Sequence, residues 1–193
     1  MDQKFIEAGQ TFGTRIPKAY FTATGCGETD LGAGVDPWET GAYDLALLDA
    51  GIENYNIVQY SSVMPKECVK HERKDIEHLL HHGAVLETIM ANINGVQGDH
   101  LCAGVLTAHV RDKDSGESIG GFACEYEGHA KPERAKKILL TSMQGLIDRR
   151  FPKGNMELFN EDYIIADMVV EKKFGTAIAF LGFVSYLFPV VDE

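Results

Sequence analysis

Six stretches of this chain, residues 56–62, 84–91, 101–110, 118–126, 163–170 and 177–183, are short, apolar and rich in β-branched or aromatic side chains. Only two segments carry the three-four apolar spacing of an amphipathic helix. Residues 38–51 place Tyr43, Ala46, Leu47 and Ala50 on one face, with Gly51 as a C-terminal stop, and residues 131–150 begin with Pro132 and carry a stripe of Ile138, Leu139, Met143, Leu146 and Ile147. The charged run RDKDSGES, 111–118, contains Ser115-Gly116 and predicts the tight turn of an antiparallel hairpin. Strand segments in this excess favour an α+β fold, an αββα sandwich of antiparallel sheets with helices packed outside, over a doubly wound parallel sheet. No repeat, low-complexity tract or Pro/Ser-rich linker divides the 193 residues, and 45% hydrophobic content can fill one core, so a single domain over 1–193 is expected.

Charge narrows the partners. Lys and Arg number 18 against 29 Asp and Glu, a formal charge of −11 that repels phosphate backbones and anionic lipid and attracts cations. A basic small molecule is the natural ligand, and nucleic acid is not expected. Cys26, Cys68, Cys102 and Cys124 are widely spaced, which predicts reduced thiols. The start MDQKFIEAGQTF lacks the pattern of a secretory signal, and a cytoplasmic location is expected. Residues 174–191 are uncharged over roughly the minimum length of a membrane helix, but Gly175, Gly182, Pro189 and the β-branched content favour a buried strand with an apolar tail.

Familiar catalytic patterns are mostly absent. His71, His78, His81 and His82 cluster with Glu72, Asp75, Glu77 and Glu87, yet there is no His-Glu-x-x-His signature, and a solvated connector with no metal is expected. Nothing matches Gly-x-Ser-x-Gly. The glycines of 24–34 lack the ending of a phosphate loop and read as a connector. The segment NYNIVQYSSVMPKE, 54–67, is different, because it sets two serines where a strand prefers β-branched apolar residues. A Ser-Ser pair allows the chain to attack itself. Ser62 Oγ against the Ser61 carbonyl gives an ester, and elimination then leaves a dehydroalanine that hydrolyses to a pyruvoyl group. Charge develops on the Ser61 oxygen, so an oxyanion donor is needed, and the amide of Asn56 or Asn54 could serve.

The blocks IENYNIVQYSSVMPKE, HHGAVLETIMA, GGFACEYEG and KKFGTAIAFLGF occur in this order. Together they resemble the pyruvoyl-dependent arginine decarboxylases, particularly their bacterial branch, from residue 13 to 183. The resemblance implies self-cleavage between Ser61 and Ser62 into a β chain of 1–61 and an α chain of 62–193. Ser62 becomes the pyruvoyl cofactor, which forms a Schiff base with arginine and releases carbon dioxide and agmatine without PLP or a metal. It implies a processing role for Asn56 and a proton-donating role for Glu125, which local sequence alone cannot separate from Glu127 on the same strand face. It also implies that Asp44 holds the guanidinium end of the substrate, with Leu47 and Val63 walling its aliphatic part. A homotrimer of cleaved protomers, with sites between subunits and no membrane partner, completes the expectation. The rivals are the same machinery acting on another amino acid such as histidine, and a non-catalytic trimeric scaffold of the same fold.

Overall fold

A computed structural model of the chain describes residues 13–32 and 40–191. The predicted helix start at Trp38, the glycine at position 34 and the first twelve residues lie outside them. In chain order the elements are β1 (Ile16–Thr29), α1 (Thr40–Ala50), β2 (Asn56–Gln59), β3 (Val63–Met64), β4 (Val69–Lys70) and α2 (Arg73–Ile76). After a 3-10 turn at Glu77–Leu79 come β5 (Val85–Val96), β6 (His100–Asp112), β7 (Ser118–Gly128), α3 (Pro132–Arg150), β8 (Met156–Val169) and β9 (Phe174–Leu187). One sheet has the order β2-β5-β9-β1-β4 and the other β3-β7-β6-β8.

The four layers follow from strand alternation. On β9, Ala177, Ala179, Leu181 and Phe183 face the second sheet, while Ile178 and Phe180 face α1. On β6, Leu101, Ala103 and Val105 enter the inter-sheet core, whereas Leu106, Ala108 and Val110 meet Leu139, Met143 and Ile147 of α3. The α+β sandwich with helices outside is therefore the observed architecture. The second sheet is antiparallel, but the first is mixed, because β2 runs parallel to β5 and β4 parallel to β1. Those two short strands are laid down by one crossing segment, which passes from one edge of the first sheet to the other by way of the second sheet.

The largest departure from the sequence reading is β1. Its glycines are not a connector: they let α1 lie directly on the strand. A Cβ at Gly25 would strike the Ala46 carbonyl, and one at Gly27 the Ala42 carbonyl. At the other end of α1, Gly51 has φ +69 and closes the helix as expected, and Arg73 donates to the carbonyls of Ala50 (3.1 Å) and Gly51 (2.5 Å). The apolar run from residue 174 forms β9, buried from Phe174 to Phe183, followed by an exposed tail with Phe188, Val190 and Val191, and no helix among the described residues is long and apolar enough to cross a membrane. All four cysteines are free.

Candidate active site

The chain changes sheets at the serine pair. Tyr60 N–H donates to the Thr88 carbonyl of β5 (2.7 Å), and Ala123 N–H of β7 donates to the Ser62 carbonyl (3.0 Å). Only Ser61 lies between these two anchors, so the Ser61–Ser62 bond spans the gap between the sheets. Ser61 is exposed and Ser62 half-buried. The Ser61 carbonyl accepts a hydrogen bond from Val63 N–H at 3.0 Å.

Register then brings Ser62 and Glu125 together. The pairs Val63 with Phe122 and Met64 with Gly121 put Ser62 opposite Ala123, and Ala123 and Met64 both belong to the inter-sheet core. Ser62 therefore points to the inner face, as does Glu125 two residues beyond Ala123. Such diagonal neighbours stand about 7–8 Å apart, within reach of a glutamate side chain. Because β3 pairs with only two residues of β7, the strand edge beside Glu125 is open. Glu125 is exposed in the protomer, and its carboxyl is pushed above its ordinary value by the partial desolvation it meets at the strand edge, partly offset by its own backbone N–H and raised again by the Glu127 charge.

Glu127 has a different environment. Its Oε1 accepts the Asn92 N–H of β5 at 2.8 Å, linking the free edges of the two sheets. Glu125 has no such tie.

The remaining expected site residues lie elsewhere in the protomer. Asn56 begins β2, and its Nδ2 donates to the Gly83 carbonyl (3.0 Å). Five residue steps along the chain separate it from Ser61, at most about 17 Å at full strand extension. Asn54 is held by Glu53 (2.7 Å) and His82 (3.0 Å). Asp44 is exposed on α1, and Leu47 is buried beneath the same helix, so the first sheet stands between both and Ser62. Val63 is 49% exposed and projects with Phe122 to the outer face, opposite to Ser62. The histidines of 71–82 are exposed, on a connector anchored by Ile76 and Leu80 in the core under α1. Among the described residues no group of three or more His, Cys, Asp or Glu is placed to hold a metal.

Sequence reasoning missed a polar cluster next to the serine pair. Glu87, 3% exposed, faces the inter-sheet interior, pairs with Arg15, and leaves Oε2 without a partner. Arg15 Nη2 also donates to the Tyr60 hydroxyl (3.1 Å) and stacks on Tyr186. The signal was a lone Glu within the apolar run AVLETIMA, since a buried carboxylate requires a cation. Counting Glu87 with the nearby histidines hid it.

Comparison with known proteins gives a consistent result. The family model for pyruvoyl-dependent arginine decarboxylase matches residues 19–188. A protein of Chlamydia abortus named pyruvoyl-dependent arginine decarboxylase AaxB is 37% identical over 196 residues, covering 91% of this chain and 94% of its own length. Its namesake in Chlamydia trachomatis serovar L2 is 37% identical over 188 residues with the same coverage. Pyruvoyl-dependent arginine decarboxylase 2 of Archaeoglobus fulgidus is 32% identical over 163 residues, covering 80% of this chain and 98% of that one. With most of the chain aligned to proteins of one kind, and the Ser61–Ser62 bond suspended between two sheets, this chain belongs to the pyruvoyl-dependent arginine decarboxylase family.

Proposed function

We propose that the protein cleaves itself between Ser61 and Ser62 and then decarboxylates L-arginine to agmatine. The observation that carries the reading is the placement of Ser62: anchored to β7, turned to the inner face, and one diagonal step from a glutamate whose carboxyl is raised. In cleavage, Ser62 Oγ bonds to the Ser61 carbonyl carbon, the C–N bond breaks, and the hydroxyl proton passes to the Ser62 nitrogen. Loss of the Ser62 α-proton then expels the Ser61 carboxylate by Cβ–O cleavage. The resulting enamine tautomerises, takes up water and releases ammonia, leaving the pyruvoyl group as the N-terminus of residues 62–193.

The residues around Ser62 fit that group, since its carbonyl keeps the Ala123 N–H and no lysine is needed to hold it. Held at position 62, that group would supply an electron sink for the pair released as carbon dioxide leaves. Glu125 supplies the proton that the substrate α-carbon then takes up, and its raised carboxyl keeps that proton available nearer neutrality. The exposed Asp44 carboxylate takes the guanidinium by parallel hydrogen bonds. Because the first sheet separates Asp44 from Ser62 of the same protomer, the complete site forms between neighbours in a homotrimer. Asn56, on the edge strand β2, and the half-exposed Val63 contribute at that boundary, and Leu47 supports the helix face carrying Asp44.

Intact mass together with carbon dioxide release from arginine tests the reading. Wild-type protein should resolve into chains 1–61 and 62–193, the larger one reactive toward hydrazine, with carbon dioxide released. A continuous chain lacking a hydrazine-reactive carbonyl after prolonged incubation would remove the chemical basis of the activity.

A further inference from the structure

Tyr60, the last residue before the serine pair, is fixed by its side chain as well as by its N–H. Its hydroxyl accepts a hydrogen bond from Arg15 Nη2 at 3.1 Å, and its ring lies against Phe183 with centroids 5.8 Å apart. Arg15 is held in turn by Glu87 and by the Tyr186 ring, whose centroid is 5.3 Å from the guanidinium carbon. Register explains why these groups meet. Phe183, Glu87 and Val58 stand side by side on β9, β5 and β2, and Tyr60 follows Val58 by two residues, so their side chains share the inter-sheet face. Glu87 is the costly member. It is 3% exposed with one oxygen unpartnered, and a buried ion pair is often no more stabilising than apolar side chains of the same volume. Stability alone therefore does not account for the pair. What it does fix is the Tyr60 side chain.

We infer that Arg15 and Glu87 are positioning residues for self-cleavage, acting through Tyr60 to hold the Ser61 carbonyl against the Ser62 hydroxyl. This rests on the self-cleavage reading above. The two sides of the 61–62 bond are anchored unequally. Ser62 is bonded to Ala123 and followed by the paired residues Val63 and Met64, whereas on the other side β2 ends at Gln59, Tyr60 N–H is bonded to Thr88, and Ser61 is exposed. Rotation of the chain about Tyr60 sets where the Ser61 carbonyl points, and a ring pinned at both its hydroxyl and its face resists that rotation. Charge makes the pin firm. The buried Glu87 carboxylate keeps the guanidinium in place, since removing either partner leaves an uncompensated ion, and the fork of an arginine can serve a carboxylate and a hydroxyl together. Attack by one atom on a neighbouring carbon is sensitive to alignment: a misplacement of about 1 Å can cost about 10²-fold in rate.

Tyr60→Phe tests this, because it removes the hydroxyl and keeps the ring. Followed by intact mass from the freshly folded full chain, it should cleave about 10- to 10²-fold more slowly than wild type. Arg15→Met should be slow as well, and the double variant no slower than Arg15→Met alone, since the hydroxyl acts only through Arg15. Urea midpoints, compared in the uncleavable Ser62→Ala chain with and without Tyr60→Phe, should agree. A merely structural tie would lower that midpoint while the folded Tyr60→Phe chain cleaves at the wild-type rate, and this outcome overturns the inference, as do additive rate losses in the double variant. A wild-type chain that never cleaves overturns the parent reading instead. If Tyr60→Phe does not fold, a crystal structure of the Ser62→Ala chain decides. Arg15 within about 3.5 Å of both the Tyr60 hydroxyl and the Glu87 carboxylate supports the inference, and Arg15 beyond that reach of the hydroxyl overturns it.

Discussion

Glu125 and Glu127 leave the same face of β7, yet only Glu127 is tied down, by the Asn92 N–H across the gap between the sheets. In the proposed mechanism that tie leaves Glu125 as the proton donor, and the nearby Glu127 charge helps hold the proton on it. Replacing Glu125 with Gln should therefore leave self-cleavage intact and reduce decarboxylation by about 10²–10⁴-fold, read by carbon dioxide release from cleaved protein. Ser62→Ala should stay a single inactive chain by intact mass. Glu127→Gln removes a like charge, so the Glu125 pKa should fall and the alkaline limb of the pH–rate profile should move to lower pH; a limb displaced upward contradicts the coupling. The linkage for stability has the same origin. A raised carboxyl in the folded state means that the unfolded chain ionises first, so its contribution to stability, present below the ordinary carboxylate range, is lost as pH rises toward the folded value. Glu125→Gln should accordingly melt no lower than wild type at neutral pH. At Glu87 the prediction rests on the ion pair, because Arg15 balances a buried carboxylate: Arg15→Met should destabilise the fold by up to about 3 kcal/mol in urea unfolding.

Packing of elements explains which parts of the sequence could be read locally. Residues 131–150 and the hairpin around Ser115-Gly116 were legible because their signals, Pro132 and the apolar stripe in one and turn residues between strands in the other, depend on near neighbours. β1 was not legible, because its glycines serve a helix some 20 residues later: Gly25 and Gly27 are bare so that Ala46 and Ala42 can approach. Alanine at Gly25 should push α1 off the sheet and lower stability by about 1–3 kcal/mol, read by denaturant unfolding with the m-value unchanged. β3 and β4 were similarly obscure, and β2 was read only as part of a longer strand. A two-residue strand has too short a pattern to show alternation, and the predicted strand over 56–62 in fact stops at Gln59, where the chain leaves its sheet. The Ser-Ser pair was conspicuous in the sequence, but the turn that brings Val63 N–H to the Ser61 carbonyl exists only because two sheets hold its ends.

For the whole molecule, the separation of Asp44 from Ser62 by a complete sheet is the main argument for assembly. A site needing both must take Asp44 from one protomer and Ser62 with Glu125 from the next. Co-expressing Asp44→Ala with Glu125→Gln should then restore activity that neither variant has alone, to about a quarter of wild type for random mixing in a closed ring. Mixed assemblies that stay inactive would place both residues in one protomer and exclude the proposed arrangement. By itself the sequence determined the α+β composition, the two long helices and the position of the serine pair, because each is written in residues adjacent along the chain or repeating at a helix or strand period. Only the tertiary structure decided that one sheet is mixed, that the Ser61–Ser62 bond bridges the sheets, and that Glu127, not Glu125, is tied to the first sheet. Those outcomes depend on register between strands far apart in the chain, which no local pattern encodes.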